Sequence, residues 1–288
     1  MSSARVQTES VLSQAPALPG SGRRLAVLLG HVMGLQVRSV AIWGAALGAL
    51  GVMMVAIFPG IASGPGLEQM TDALPRGVMQ AAGVEDIGSL GTIEGFLEAE
   101  IFGLVLPLAL PFFAILAAAG AIAGAEENGT MDILMGNPLS RPQLIVAYFV
   151  SVAVSLVGIL AIFGLVLWTS ARFIDAKLPL SVVAEGVFGA WPLALLFGGL
   201  ALLLSAVVHR RILAVGIPGA VLVAMYLMDV LGGIVEEIEW VRNFSAIYYY
   251  GSPLTDGIDW TSFAGVTGAA LILAIAAIFA FQCRDIYT

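Results

Sequence analysis

Six stretches of the chain, at residues 40–60, 101–124, 144–168, 187–208, 212–234 and 261–282, run almost without charge. A hydrocarbon layer about 30 Å thick needs a helix of about 20 apolar residues, so each stretch is long enough to cross it. Hydrocarbon offers no partner to a free N–H or C=O, and a helix satisfies these groups within its own segment. An all-α integral membrane protein with a bundle of six transmembrane helices is therefore expected. Bulk chemistry excludes a soluble domain, because the chain is 59% hydrophobic and only 11% charged, with mean hydropathy +0.99.

An even number of spans puts both termini on one side. With the N-terminus inside, the inner face carries Arg5, Arg23, Arg24, Arg38, Arg141, Arg210, Arg211 and Arg284. The outer face then has only Arg76, Arg172, Lys177 and Arg242. The bias of basic residues toward the cytoplasm favours this orientation, which predicts a multi-pass protein of the cell membrane with both termini cytoplasmic. The formal charge of −8 does not oppose it, since the acids at 68–100 and 236–239 fall outside. Trp168, Trp191 and Trp260 are expected at the outer interface.

Residues 1–22, rich in Ser, Ala, Pro and Gly, read as a disordered cytoplasmic tail, with the membrane domain at 23–288. The segment 23–38, with arginines at both ends, suits a helix lying along the inner leaflet. A long acidic outer loop follows at 61–100, and its last part is expected on the outer surface, with Ile93, Phe96, Leu97 and Ile101 opposite Glu94 and Glu98. Pro107 and Pro111 predict a kink, either lining a path or simply bending a packing helix. Gly44/Gly48 and Gly120/Gly124 are spaced for close helix contacts. Cys283 is the only cysteine, which excludes an intrachain disulfide and a cysteine-based metal cluster. His31 and His209 read as interfacial residues, so neither a metal site nor a catalytic residue is expected.

The connection between the second and third runs carries the most specific pattern. It reads AEENGTMDILMGNPLSRPQ from Ala125 to Gln143, which suits about two turns of helix over 130–136, a stop at Asn137-Pro138 and a restart at Ser140. Composition alone also allows an ordinary solvated loop. The order of Glu126, Glu127, Gly129, Thr130, Asp132, Leu134, Pro138, Ser140 and Arg141 resembles the E-E-x-G-T-x-[DE]-x-L-x-x-x-P-x-S-R pattern of the ABC-2 type transporter permeases. That resemblance implies a coupling helix seated in a cleft of a separate ATPase subunit, with Glu126, Glu127, Asp132 and Arg141 giving ionic register and Leu134 and Met135 an apolar anchor. It further implies two ABC ATPase subunits, a second permease copy (a homodimer by default, a heterodimer as the alternative) and export. ATP and Mg would then be cofactors of the partner and none of this chain.

A phosphate-binding loop needs a lysine after its glycines, and the sole lysine, Lys177, follows Ala176 with no such approach. The motor is thus expected on another chain, and the permease is expected not to be an enzyme. Met53, Met54, Phe58, Phe112 and Phe113 would suit a path for an amphipathic drug, antibiotic or lipid-like molecule, and equally suit lipid contact. Asp229, near the outer end of its span, reads as an interfacial carboxylate, with a substrate path or proton carriage as the sharper alternatives. Tyr248, Tyr249 and Tyr250 read as interface anchors or part of an outer gate. The partners expected are protein and membrane lipid, not nucleic acid. An ion-coupled secondary transporter or channel is the main rival, and an intramembrane hydrolase a third class.

Overall fold

The computed structural model describes residues 21–62, 91–127, 129, 140–174 and 176–283. The N-terminal tail to residue 20, the acidic loop at 63–90 and the proposed coupling helix at 130–136 therefore lie outside the described residues. The described part is helical, and six of its helices are long and apolar enough to cross a membrane.

The first helix, α1, runs from Ser21 to Ala62 over 42 residues. At about 1.5 Å per residue it is about 63 Å long, roughly twice a hydrocarbon core. Residues 23–38 are helical as expected and pass into the first span without a turn.

The second span begins earlier than its apolar run. A short helix α2 (Ile93–Leu97), capped by the Thr92 hydroxyl, leads into a π-helix at Glu98–Val105 and then α3 (Leu106–Ala119). Pro107 sits in the first turn of α3, where its missing N–H leaves a carbonyl upstream without its usual partner. The wide turns lie just before that point. The segment 93–97 does not rest on the outer surface, because Ile93, Phe96 and Leu97 are buried in the bundle.

After a short helix α4 (Ala123–Glu127), the third span is α5 (Arg141–Phe173). It lies along α1 in parallel, and glycine makes the approach possible. Gly44 faces Ile162, Gly48 faces Val166 and Gly158 faces Val40, and a Cβ on Gly44 would lie 2.9 Å from that of Ile162. Backbones come this close only where one partner has no side chain.

The fourth span is broken at Ala190 into α6 (Leu180–Gly189) and α7 (Trp191–Val207), with Pro192 opening the second piece. The fifth and sixth spans are α8 (Arg211–Ile234) and α10 (Trp260–Gln282), with a 3-10 helix (Glu236–Phe244) and α9 (Ala246–Tyr250) between them. The second, third and fourth spans together carry most of the core, with 56%, 50% and 61% of their most apolar windows buried. Only 17% of the residues in the corresponding windows of the fifth and sixth are buried, which leaves apolar side chains on both for lipid or another chain.

Candidate functional site

The connection between the second and third spans is tied to the bundle at both ends. Its start is set by a break in the second span, where α3 stops at Ala119 and the chain turns before α4. Two backbone donors exposed by that turn, the N–H groups of Ile122 and Ala123, bond to the Ser205 hydroxyl at 3.2 and 3.0 Å. The same hydroxyl donates to the Ala119 carbonyl at 3.2 Å. Ser205 is fully buried and is the one hydroxyl residue in α7, so this side chain fixes where α4 points.

Beyond the turn, the acidic pair of the motif meets the start of the fifth span. A Glu126 carboxylate oxygen lies 3.5 Å from His209 Nδ1, and Glu127 accepts the Arg211 backbone N–H at 3.3 Å. Negative charge at the first turn of α8 is favourable, because unpaired N–H groups and the helix dipole concentrate positive potential there. Gly129 has φ of +65° and donates its N–H to the Glu126 carbonyl at 3.0 Å. That left-handed conformation gives the motif glycine a physical reason, since a Cβ would be strained there.

Thr130, Asp132, Leu134, Met135 and Pro138 lie outside the described residues. The chain returns at Ser140, whose N–H donates to Gln143 Oε1 at 3.0 Å in the expected capping register. Arg141 then turns to the last span: its Nη1 donates to the carbonyls of Phe281 at 3.0 Å and Gln282 at 3.2 Å, and its guanidinium lies 5.5 Å from the Phe281 ring centre. These carbonyls end α10, where no intrahelical donor remains for them. At least one face of Arg141 is thus committed to the bundle.

The opposite end is closed by a polar cap. Arg242 of the 3-10 helix donates to Asp229 at 3.0 Å and lies 4.7 Å above the Tyr248 ring. A Cβ on Gly232 would come within 2.5 Å of Arg242 Cγ, so this glycine opens the passage for the arginine. Asp229 is therefore an ion-paired carboxylate. Tyr248 and Tyr249 are exposed, with Tyr249 donating to the Asn243 carbonyl at 3.2 Å.

Glu98 is 1% exposed and accepts the Leu254 N–H at 2.8 Å, while its Oε1 has no hydrogen-bond partner. The Tyr250 hydroxyl is likewise buried and unpartnered. Burial pushes it well above the usual phenol range, and the neighbouring Glu98 carboxyl adds to the shift.

The apolar path residues do not converge. Met53 and Phe112 point outward, Met54 packs against the core, Phe58 packs on Phe96 and Phe113 on Trp43. Trp191 donates to the Ala153 carbonyl inside the bundle at 3.0 Å, whereas Trp260 is exposed at the start of the last span. Ser205 and Glu98 were not recognised as site residues from sequence. A lone hydroxyl inside an apolar helix was the available signal for the first, and Glu98 gave none, standing among surface-type acids. Among the described residues, no cluster of three His, Cys, Asp or Glu could hold a metal ion.

Six apolar helices, broken in two places and joined by an anchored loop, define a multi-pass membrane protein. Residues 25–282 match the family described as "Multidrug efflux system permease Rv1217c, C-terminal domain", and the chain belongs to that family. It is a transporter permease, in agreement with the ABC-2 type resemblance of the motif. Among curated proteins no match is found.

Proposed function

We propose that the chain is the membrane-spanning subunit of an ATP-driven exporter and that the connection from Glu126 to Arg141 engages a separate ABC ATPase subunit. The observation that carries the reading is the double anchorage of that connection. Glu126 and Glu127 hold its start to the beginning of α8, and Arg141 holds its end to the final carbonyls of α10. A displacement of the loop would therefore move the fifth and sixth spans together with the second and third, as a rigid element does in a switching transition.

In this reading the loop faces the cytoplasm, both termini share that side, and the chain sits in the cell membrane. Asp132, Leu134 and Met135 supply the contact with the ATPase, while ATP and Mg are bound by the two partner subunits. A second copy of the permease, in a homodimer, completes the path for an amphipathic or lipophilic molecule. The permease itself performs no hydrolysis.

Gentle detergent purification tests this, with the ATPase rate read with and without added lipophiles. An ATPase subunit is expected to copurify, and lipophiles to stimulate it. Glu127→Lys and Leu134→Asp are expected to insert normally yet lose the stimulation. Full stimulation in both variants, or a permease that never retains an ATPase, would overturn the assignment.

A further inference from the structure

A cavity of about 330 Å³ lies between α1, α3 and α5, at the end of the bundle that carries the 127–140 connection. Its walls are apolar, formed by Leu35, Trp43, Phe113 and Leu116. Along the second span the lining runs from Phe113 to Gly120, seven residues or about 10 Å of chain rise. Leu35 lines the cavity and is 68% exposed, so the rim opens on the outer surface of the bundle, where lipid lies in a bilayer.

The polar lining is made of donors. Gln36, Ser39, Tyr148 and Arg211 contribute, and no carboxylate lines the cavity. Gln36 Oε1 already accepts the Ser155 hydroxyl at 2.5 Å, which leaves its NH2 as the group to offer. Glu127, the acid nearest Arg211 in the contacts described, engages its backbone N–H. Among the described residues no carboxylate lies within ion-pairing distance of the Arg211 guanidinium.

An apolar slot open to lipid, with neutral donors along its wall and a cation where α8 begins, complements one kind of molecule. We propose that this cavity binds an anionic phospholipid, with its phosphate on Arg211 and the upper part of one acyl chain between Trp43, Phe113 and Leu116. A charged head on an arginine forms the strong, charge-assisted type of hydrogen bond, whereas a zwitterionic head brings its own cation to the same place. The site is independent of which partner the neighbouring loop engages.

Trp43 supplies the readout. The full-length protein is reconstituted in phosphatidylcholine nanodiscs containing a small fraction of phosphatidylglycerol with brominated acyl chains, which quench tryptophan on contact. The Trp43 signal is the difference between wild type and Trp43→Phe. Brominated phosphatidylglycerol is expected to occupy the site about tenfold more readily than brominated phosphatidylcholine, the ratio that about 1.4 kcal/mol of head-group preference gives. Arg211→Gln is expected to remove the preference, Arg210→Gln to preserve it, and Ala117→Phe to exclude both lipids by filling the slot. Equal quenching by the two lipids, or equal loss in the Arg210 and Arg211 variants, would sink the proposal. So would displacement of the lipid by a lipophile that stimulates ATP hydrolysis, which would make the cavity a substrate subsite instead.

Discussion

Two buried serines show how a single hydroxyl acquires or lacks a structural role. Ser205 satisfies two backbone donors and one carbonyl at the end of the second span, whereas the Ser151 hydroxyl is buried without a partner. Stranding a buried backbone donor costs about 1–3 kcal/mol, while removing an unpartnered hydroxyl costs little or is favourable. Ser205→Ala is therefore expected to lower the thermal midpoint in detergent clearly, and Ser151→Ala to leave it unchanged or raise it. At the opposite end, the Asp229–Arg242 pair is about a quarter exposed on both sides, a setting in which such pairs contribute about 0.2–1 kcal/mol. Transport is expected to persist in Asp229→Asn, and its loss with folding intact would revive ion coupling through this carboxylate. Gly232→Leu should be the more damaging change in the same thermal assay, because it drives a side chain into Arg242 and displaces the cap.

Among the elements, α1 and α5 depend on contact without side chains. Gly44→Leu would insert four carbons against Ile162, where even a Cβ meets atoms at 2.9 Å. Overpacking of this kind costs about 1–3 kcal/mol, so the variant is expected to unfold at a lower temperature and to expose α1 to protease. The last span illustrates capping. Asp259 accepts the Ser262 hydroxyl at 2.6 Å and the Thr261 N–H at 3.0 Å, and these bonds, the Ser262 hydroxyl first, hold its carboxyl below the ordinary range. A carboxyl held low in the folded state contributes fully above its unfolded value and loses that contribution as pH falls through its folded one. Hydrogen exchange at the Thr261 amide should therefore quicken, relative to mid-helix amides, as acid is added below the usual aspartate range. An Asp259→Ala variant should show no such pH dependence. The π-helix is the other telling element: wide turns accompany Pro107, and they carry Glu98 into the interior beneath the Leu254 N–H.

For the whole molecule, the broken spans and the anchored loop divide the bundle by what each helix touches. The second and fourth spans are the most buried, and the fifth and sixth are the least. The loop end is held by Ser205, Glu126, Glu127 and Arg141, and the cap end by Arg242 and Glu98. Arg141→Ala is expected to reduce lipophile-stimulated hydrolysis while basal ATP hydrolysis persists, since it releases the loop from α10 and leaves Asp132, Leu134 and Met135 in place. Unchanged stimulation would show that the α10 anchor is not used.

The number of spans, their helical form and the restart at Ser140 followed from the chain itself, because lipid imposes its demands on each segment separately. A run of about 20 apolar residues satisfies its backbone alone, and a capping side chain acts within three residues of its cap. Gly129 stood out in the sequence only as a position of the motif, and its positive φ supplies the local reason. Burial of Glu98, the three bonds of Ser205 and the turn of Arg141 onto the last span were not legible. Their partners stand 156, 82–86 and 140 residues away in sequence, and no local pattern encodes a contact that exists only once the helices are packed. Even Glu94 and Glu98, four residues apart in an acidic stretch, part company only in three dimensions, where the backbone at Leu254 meets one of them.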